Sequence, residues 1–439
     1  MTGGVAGGEL RAATGSIYML ERAFDSMDAL TSLDKRAGLH VMNVPLGHDD
    51  DDDERDVLAH RRYHWNRKCS LSFVETKTFI PYRTMAETPR SAKQPDVFVL
   101  HNVLNYVFVY PFPSFEAPVD VMRFNSTPIC HDFRLPMLPT QPTNVVLALL
   151  SSDIVVLDPL HGLDTYSHHN RGGQICASPV TTVKWVGQSH TEFVVAHESG
   201  DLFLYDHTWR DESIASLVSE ESPDFPIRSQ REDRVNPTLH WKVSGSAIYD
   251  VAFSPHGKYL ALAGRDGSLT VVQFHLQRKI ALMKSVFGAL TTLAWSPDSN
   301  YLLSGGQDDC VTLWSLRHNA AIVRCEGHRS WVTSVAFDEW FCSPQHLRFG
   351  SVGEDGMLCL WDVPILSDVD ETSAVACRIL SAPTLTATLY EGPATHVVFR
   401  AKSIAVSARD GAVRVYARPP NDCFPEEILA QNIPSYSIN

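Results

Sequence analysis

The chain has no excess of basic residues. Over 439 residues, 37 Lys and Arg face 51 Asp and Glu, a formal charge of −14. A nucleic-acid partner needs a clustered cationic face to displace counterions, and this balance argues against one. Long hydrophobic runs are also missing. The longest, 145–150, suits a buried strand and falls far short of the roughly 20 apolar residues a membrane helix needs. Residues 1–14 hold no long apolar stretch of the secretory-signal kind. The nine cysteines, an odd number with no Cys-x-x-Cys pair, are scattered mostly through strand-like segments. Reduced thiols in a cytoplasmic and/or nuclear protein are expected.

Enzyme signatures fail in turn. Asp49, Asp51 and Asp53 imitate the start of a calcium loop, but Glu54 stands where Gly is needed and His60 where the bidentate Glu should be. The glycine-rich stretch 3–8 follows no strand, so it cradles no phosphate. His197-Glu198 has no second His at helical zinc spacing. His168-His169 reads as a pair in a solvated loop. No catalytic residue, metal, cofactor or small-molecule substrate is expected.

What is present is repetition. Phe253-Ser-Pro-His-Gly-Lys-Tyr-Leu260 precedes Gly264-Arg-Asp-Gly-Ser-Leu269, and Trp295-Ser-Pro-Asp-Ser-Asn-Tyr-Leu302 precedes Gly306-Gln-Asp-Asp-Cys-Val311 and Leu313-Trp314. Val335-Ala-Phe-Asp338 then precedes Gly353-Glu-Asp-Gly-Met-Leu358 and Leu360-Trp361. A unit of about 40 residues with short alternating strands, a Gly/Asp turn and a terminal Trp is the signature of a WD40 propeller blade. Seven blades are expected, at 71–110, 119–158, 180–206, 248–274, 290–316, 331–363 and 395–416. The fold class is therefore all-β, a seven-bladed WD40 β-propeller over 70–418. An N-terminal segment, 1–69, carries a possible ring-closing strand at 16–20, and 419–439 is a tail. An open ring would leave an unpaired sheet edge, which is why such a strand is sought. The acidic run 48–56 and the basic run 61–68 read as solvated loop. Segments 207–236 and 364–392 read as exposed linkers.

In the sixth blade His328, Ser351, Asp355 and Trp361 sit at the spacing of a structural tetrad. Asp can accept from imidazole, imidazole can meet the Ser hydroxyl, and Ser can accept from the indole N–H, so each buried polar group has a partner. Ser304, Asp308 and Trp314 repeat part of the set in the fifth blade. A hydrolase triad would occur once, so recurrence favours the structural reading. Phe287 and Trp331 lie in loops leading into consecutive blades. Such loops open onto one rim, where large aromatics commonly anchor protein partners; the alternative is that each packs under its own loop.

The chain resembles the WD-repeat regulators of ubiquitin-specific proteases, the group of the fungal catabolite-repression protein CreC, the animal WD-repeat protein twenty and the dystrophia-myotonica WD-repeat protein. The matching strings are Thr127-Pro-Ile-Cys-His-Asp-Phe133, Val183-Lys-Trp185, Val195-Ala-His197, Leu204-Tyr205, Asn236-Pro-Thr-Leu-His-Trp241 and Phe253-Ser-Pro255. Met283-Lys-Ser285, Phe287-Gly288, Gly327-His328, Ser330-Trp331-Val332, Arg348-Phe-Gly-Ser-Val-Gly353 and Leu358-Cys-Leu-Trp-Asp362 continue the series. The resemblance implies a propeller that binds a ubiquitin-specific cysteine protease away from its active site and activates it, with Phe287 and Trp331 as contacts. A second WD40 regulator is a further implied partner. Some relatives insert a long segment between the first two strands of the sixth blade; only 338–347 lies there in this chain. The rival readings are a generic WD40 scaffold and a substrate-receptor adaptor for a ubiquitin ligase. The adaptor reading wants Trp-Asp-x-Arg at a blade end, whereas Trp361-Asp-Val-Pro364 lacks the Arg and Trp314-Ser-Leu-Arg317 lacks the Asp.

Overall fold

The computed structural model describes residues 9–11, 17–25, 41–44, 70–75, 97–112, 118–134, 144–159, 167–187, 189–214, 217–220, 224–229, 234–365 and 377–417. The runs 3–8, 48–56, 61–68 and 419–439 lie outside the described residues. Among the described residues the strands form seven sheets of four or more strands, each a propeller blade.

Blade one is Leu71–Glu75, Val97–Val103, Tyr106–Phe112 and Asp120–Phe124. Blade two is Pro128–Phe133, Val145–Leu149, Ile154–Leu157 and Ser167–His169. Blade three is Val180–Trp185, Glu192–His197, Asp201–Asp206 and Leu239–Lys242. Blade four is Ile248–Phe253, Tyr259–Gly264, Ser268–Gln273 and Arg278–Lys284. Blade five is Leu290–Trp295, Tyr301–Gly306, Cys310–Ser315 and Ala320–Glu326. Blade six is Val332–Phe337, His346–Gly353, Met357–Pro364 and Leu385–Thr388. Blade seven is Ala394–Phe399, Ser403–Ala408 and Ala412–Ala417, and Ile17–Asp25 pairs antiparallel with the last of these as its fourth strand.

Burial explains why the middle strands are so apolar. A strand such as Cys310–Ser315 or Ser403–Ala408 is sandwiched between neighbouring blades, so every residue is buried and both faces carry small or apolar side chains. Seven hydrophobic clusters each straddle two adjacent blades. One joins Ala263 and Leu269 of blade four to Leu290 and Trp314 of blade five. Another joins Val413 and Val415 of blade seven to Leu71 and Val99 of blade one, so the core runs round the whole ring.

The first strands surround a central cavity of about 350 Å³. Polar side chains there staple one blade to the next. Asp132 Oδ2 accepts from the Trp185 amide at 2.8 Å, and Asp250 Oδ2 from the Leu293 amide at 2.9 Å. Ser334 Oγ accepts from the Val397 amide at 3.3 Å, and His396 Nδ1 takes the Leu71 amide at 3.3 Å across the seven–one seam. Such bonds satisfy first-strand amides where adjacent sheets splay apart.

Three expectations are corrected. Blade two begins at Pro128 rather than near 119, because Asp120–Phe124 pairs with Tyr106–Phe112 and completes blade one. The segment 207–236 is not an exposed linker. Ile227–Ser229 extends blade three, Phe225, Ile227 and Val235 are buried, and the Asn236 amide bonds the carbonyls of Asp206 and Trp209. The segment 364–392 likewise supplies Leu385–Thr388 to blade six and Arg378–Leu380 to the edge of blade five.

Candidate docking face at the blade-leading loops

Blade six carries a closed polar network. His328 arrives in the loop leading into the blade, Ser351 on the second strand, Asp355 in the turn and Trp361 on the third strand. His328 Nδ1 lies 3.1 Å from Asp355 Oδ2, and its Nε2 lies 2.8 Å from Ser351 Oγ. Ser351 Oγ also accepts from Trp361 Nε1 at 3.0 Å. Burial alone would depress the His328 imidazole, but its bond to the Asp355 carboxylate and the nearby Cys359 outweigh it and raise the pKa to about 10. Burial pushes Asp355 upward, yet the His328 bond and the Arg329 and Met357 amides hold it below the ordinary value. The pair is an imidazolium and a carboxylate at neutral pH, and Asp355 Oδ2 also takes the Arg329 amide at 2.8 Å. The leading loop is thereby pinned to the turn. Ser351 is fully buried and held by two donors, an arrangement unlike an activated nucleophile.

Blade five has the same parts less one. Trp314 Nε1 donates to Ser304 Oγ at 2.8 Å, and Asp308 occupies the turn. Thr291 and Thr333 occupy matching places: each hydroxyl bonds a carbonyl of its own second strand and a carbonyl of the next blade. That register puts Val286 where blade six has His328. Asp308 Oδ2 is buried with no hydrogen-bond partner, and its nearest cation is Arg324, 3.5 Å away. Burial raises the Asp308 pKa despite Arg324 and the Cys310 amide. The Gln307 amide on the Ala289 carbonyl, at 2.9 Å, ties the end of the loop to this turn, but no side chain fastens it as His328 does in blade six, and Val286 is 71% and Phe287 68% exposed.

Phe287 and Trp331 lie in the leading loops of adjacent blades, tied together by the Thr291 hydroxyl on the Val332 carbonyl. Their settings differ. Phe287 projects into solvent, whereas Trp331 is half-buried and its carbonyl accepts the Glu354 amide at 2.9 Å. Val286 and Arg324 escaped the sequence reading. The cue for Val286 was present, since Gly-His at the head of blade six has only Ser285-Val286 as its counterpart.

His168 and His169 are not in a solvated loop; both lie on the outer strand of blade two. His168 Nε2 meets Asp153 Oδ1 at 2.6 Å, and buried His169 Nδ1 meets Asp211 Oδ1 at 2.8 Å. His197 is buried with Nδ1 on the Ser178 carbonyl at 2.7 Å. Among the described residues no group of three His, Cys, Asp or Glu is placed to hold a metal ion.

Residues 237–272, 283–315 and 320–362 match the WD domain, G-beta repeat family. With seven blades in a ring, the chain is a WD40-repeat β-propeller. Its sequence is 30% identical, over 328 residues, to the UBP9-binding protein bun62 of Schizosaccharomyces pombe, a match covering 70% of this chain and 60% of that protein. The chain thus spans less than two thirds of the relative's length. The matched repeats are offset from the blades: 320–362 starts on the outer strand of blade five and ends on the third strand of blade six.

Proposed function

We propose that this chain is a non-catalytic regulatory subunit that binds a ubiquitin-specific protease and activates it allosterically, in the cytoplasm and/or nucleus. The observation that carries the reading is the blade-five leading loop, which lacks the histidine bond of blade six and holds Phe287 in solvent, next in the ring to the leading loop that bears Trp331. The similarity to a protein named for binding UBP9 supports it, as does the family resemblance of these two positions. The propeller supplies no reacting group. Activation follows if it binds the aligned conformation of the protease more tightly than the misaligned one, which moves the population toward the competent state.

The test is a ubiquitin-cleavage assay in which a UBP9-type protease is titrated with the purified chain. Saturable stimulation supports activation. Saturable binding without stimulation would leave a scaffold, and an absence of binding would remove the reading altogether.

A further inference from the structure

Several blades of this propeller recruit an extra strand. Val41–Val44 adds parallel to Asp120–Phe124 on blade one, and Ile227–Ser229 adds to Leu239–Lys242 on blade three. Arg378–Leu380 adds parallel to Ala320–Glu326 on blade five, and Glu9–Arg11 adds to Ile17–Asp25 on blade seven. Among the described residues nothing pairs with the outer edge of blade four. Its strand Arg278–Lys284 has 7 residues, against 3 and 4 for the outer strands of blades two and six.

This edge carries two of the usual protections of an open edge, a bulge at Ile280 and basic side chains, yet it keeps a free run of main chain and exposed apolar side chains between them. The Ser285 amide donates inward to Gly267 O, so by antiparallel alternation the amides of Lys284 and Leu282 face outward. Leu282 is 56% and Ile280 39% exposed. Of the nine exposed large hydrophobic residues described, five fall between 276 and 287, which joins this edge to the Phe287 loop. The strand carries Arg278, Lys279 and Lys284 and no acid, in a chain whose formal charge is −14.

The molecule already shows what chemistry fits here. Asp224-Phe225, from the extension of blade three, touches the start of the edge. Asp224 Oδ2 accepts the Lys279 amide at 2.9 Å, and the Lys279 ammonium lies 6.0 Å from the centre of the Phe225 ring. A carboxylate on an edge amide and an apolar ring beside a lysine are the contacts that an acidic, apolar strand would continue toward Lys284.

We propose that the open edge of Arg278–Lys284 receives an extended segment of the bound protease as a fifth strand, one that alternates acidic and apolar residues. Main-chain pairing supplies the adhesion, while Ile280, Leu282 and the flanking cations select the sequence. The inference rests on the protease reading above. A second copy of this chain is a poor occupant, because edge-to-edge pairing would set three cations against three cations.

The experiment measures binding of a UBP9-type protease to the full chain by interferometry, with hydrogen exchange on the complex. Leu282→Pro removes an outward amide and leaves the inward ladder intact, as proline at an open edge does. It should weaken binding roughly tenfold. The doubly reversed variant Arg278→Glu/Lys284→Glu tests charge selection at exposed positions that carry no core packing, and should weaken binding at least as much at low salt. In the wild-type complex the Leu282 and Lys284 amides should exchange more slowly. If the protease binds wild type and both variants equally, without protection at these amides, the edge is not used and the protease reading stands. If wild type does not bind, both fall. If Leu282→Pro does not fold, the charge-reversed variant and the exchange data decide.

Discussion

Blades five and six are built from the same parts and settle them differently. Both place a Ser on the second strand, an Asp in the turn and a Trp on the third strand, with the indole N–H on the Ser hydroxyl. In blade six His328 completes the set, and its leading loop is bonded down to Asp355. In blade five Val286 takes that place, the turn carboxylate has Arg324 at 3.5 Å and the Cys310 amide at 3.4 Å but no imidazole, and the loop turns its apolar side chains outward. One absent imidazole therefore separates a blade held for stability from one free to present Phe287. The two carboxylates record this in opposite pKa shifts, Asp355 downward and Asp308 upward.

The largest expected effect is on binding. Phe287→Ala/Trp331→Ala should lose about 2 kcal/mol or more of affinity for the protease, roughly thirtyfold, because truncating a central aromatic anchor commonly costs that much. Circular dichroism should remain that of wild type. Full stimulation by the folded double variant would sink the assignment of this face.

Next comes His328→Ala, expected to destabilise by about 1–3 kcal/mol because Asp355 and Ser351 stay buried without their shared partner. Equal melting temperatures would show that the network contributes nothing. Asp308→Asn, by contrast, should be neutral or stabilising at pH 7, since that carboxylate is already poorly matched in the folded state.

The same contrast can be sharpened with pH. A raised histidine pKa stabilises fully below the unfolded value of 6.5, and that contribution fades as pH rises through about 10. The melting gap between wild type and His328→Ala should therefore narrow between pH 6.5 and 10. Asp355, lowered from 3.8, stabilises above that value and loses its contribution as pH falls below it. Asp308, raised from 3.8, has the opposite sign and favours folding more as the pH falls. A gap that stays constant across the alkaline range would mean that His328 is neutral throughout.

The smallest effect expected is a gain. Val286→His places an imidazole at the vacant fifth-blade position and should stabilise by about 1 kcal/mol, the worth of a net hydrogen bond. It should also slow hydrogen exchange in the Ser285–Gly288 loop. An unchanged loop would show that more than one side chain separates the two blades.

The repeat was legible because each blade must solve the same local problem: blades four to six share an aromatic residue at the end of the first strand and a Gly-x-Asp turn, and blades five and six add the Ser and Trp. The blade-six tetrad could be read because its four members fall at fixed spacing in the chain. The boundary between blades one and two could not. Asp120–Phe124 belongs to whichever sheet it pairs with, and Met122 and Phe124 pack in the cluster between the two blades either way. A short strand such as Arg378–Leu380 is set by a partner distant in sequence, Ala320–Glu326, which local pattern does not record. His169 looked solvent-facing because Asp211, its partner, lies 42 residues away. The exposure of Phe287 was argued from loop position alone, although Val286 in place of a histidine already marks a loop without the imidazole bond.

The closing sheet of blade seven has a mechanical meaning. Ile17–Asp25 and Ala412–Ala417 run antiparallel, with Met19 opposite Ala417 at one end and Asp25 opposite Ala412 at the other. Residues 17 and 417 therefore leave the sheet at the same end. Tension applied between them would peel the two strands apart one pair at a time, starting at Met19, rather than shearing the whole ladder at once. A ring tied together by cores shared between blades would still open under a modest pull at this one seam.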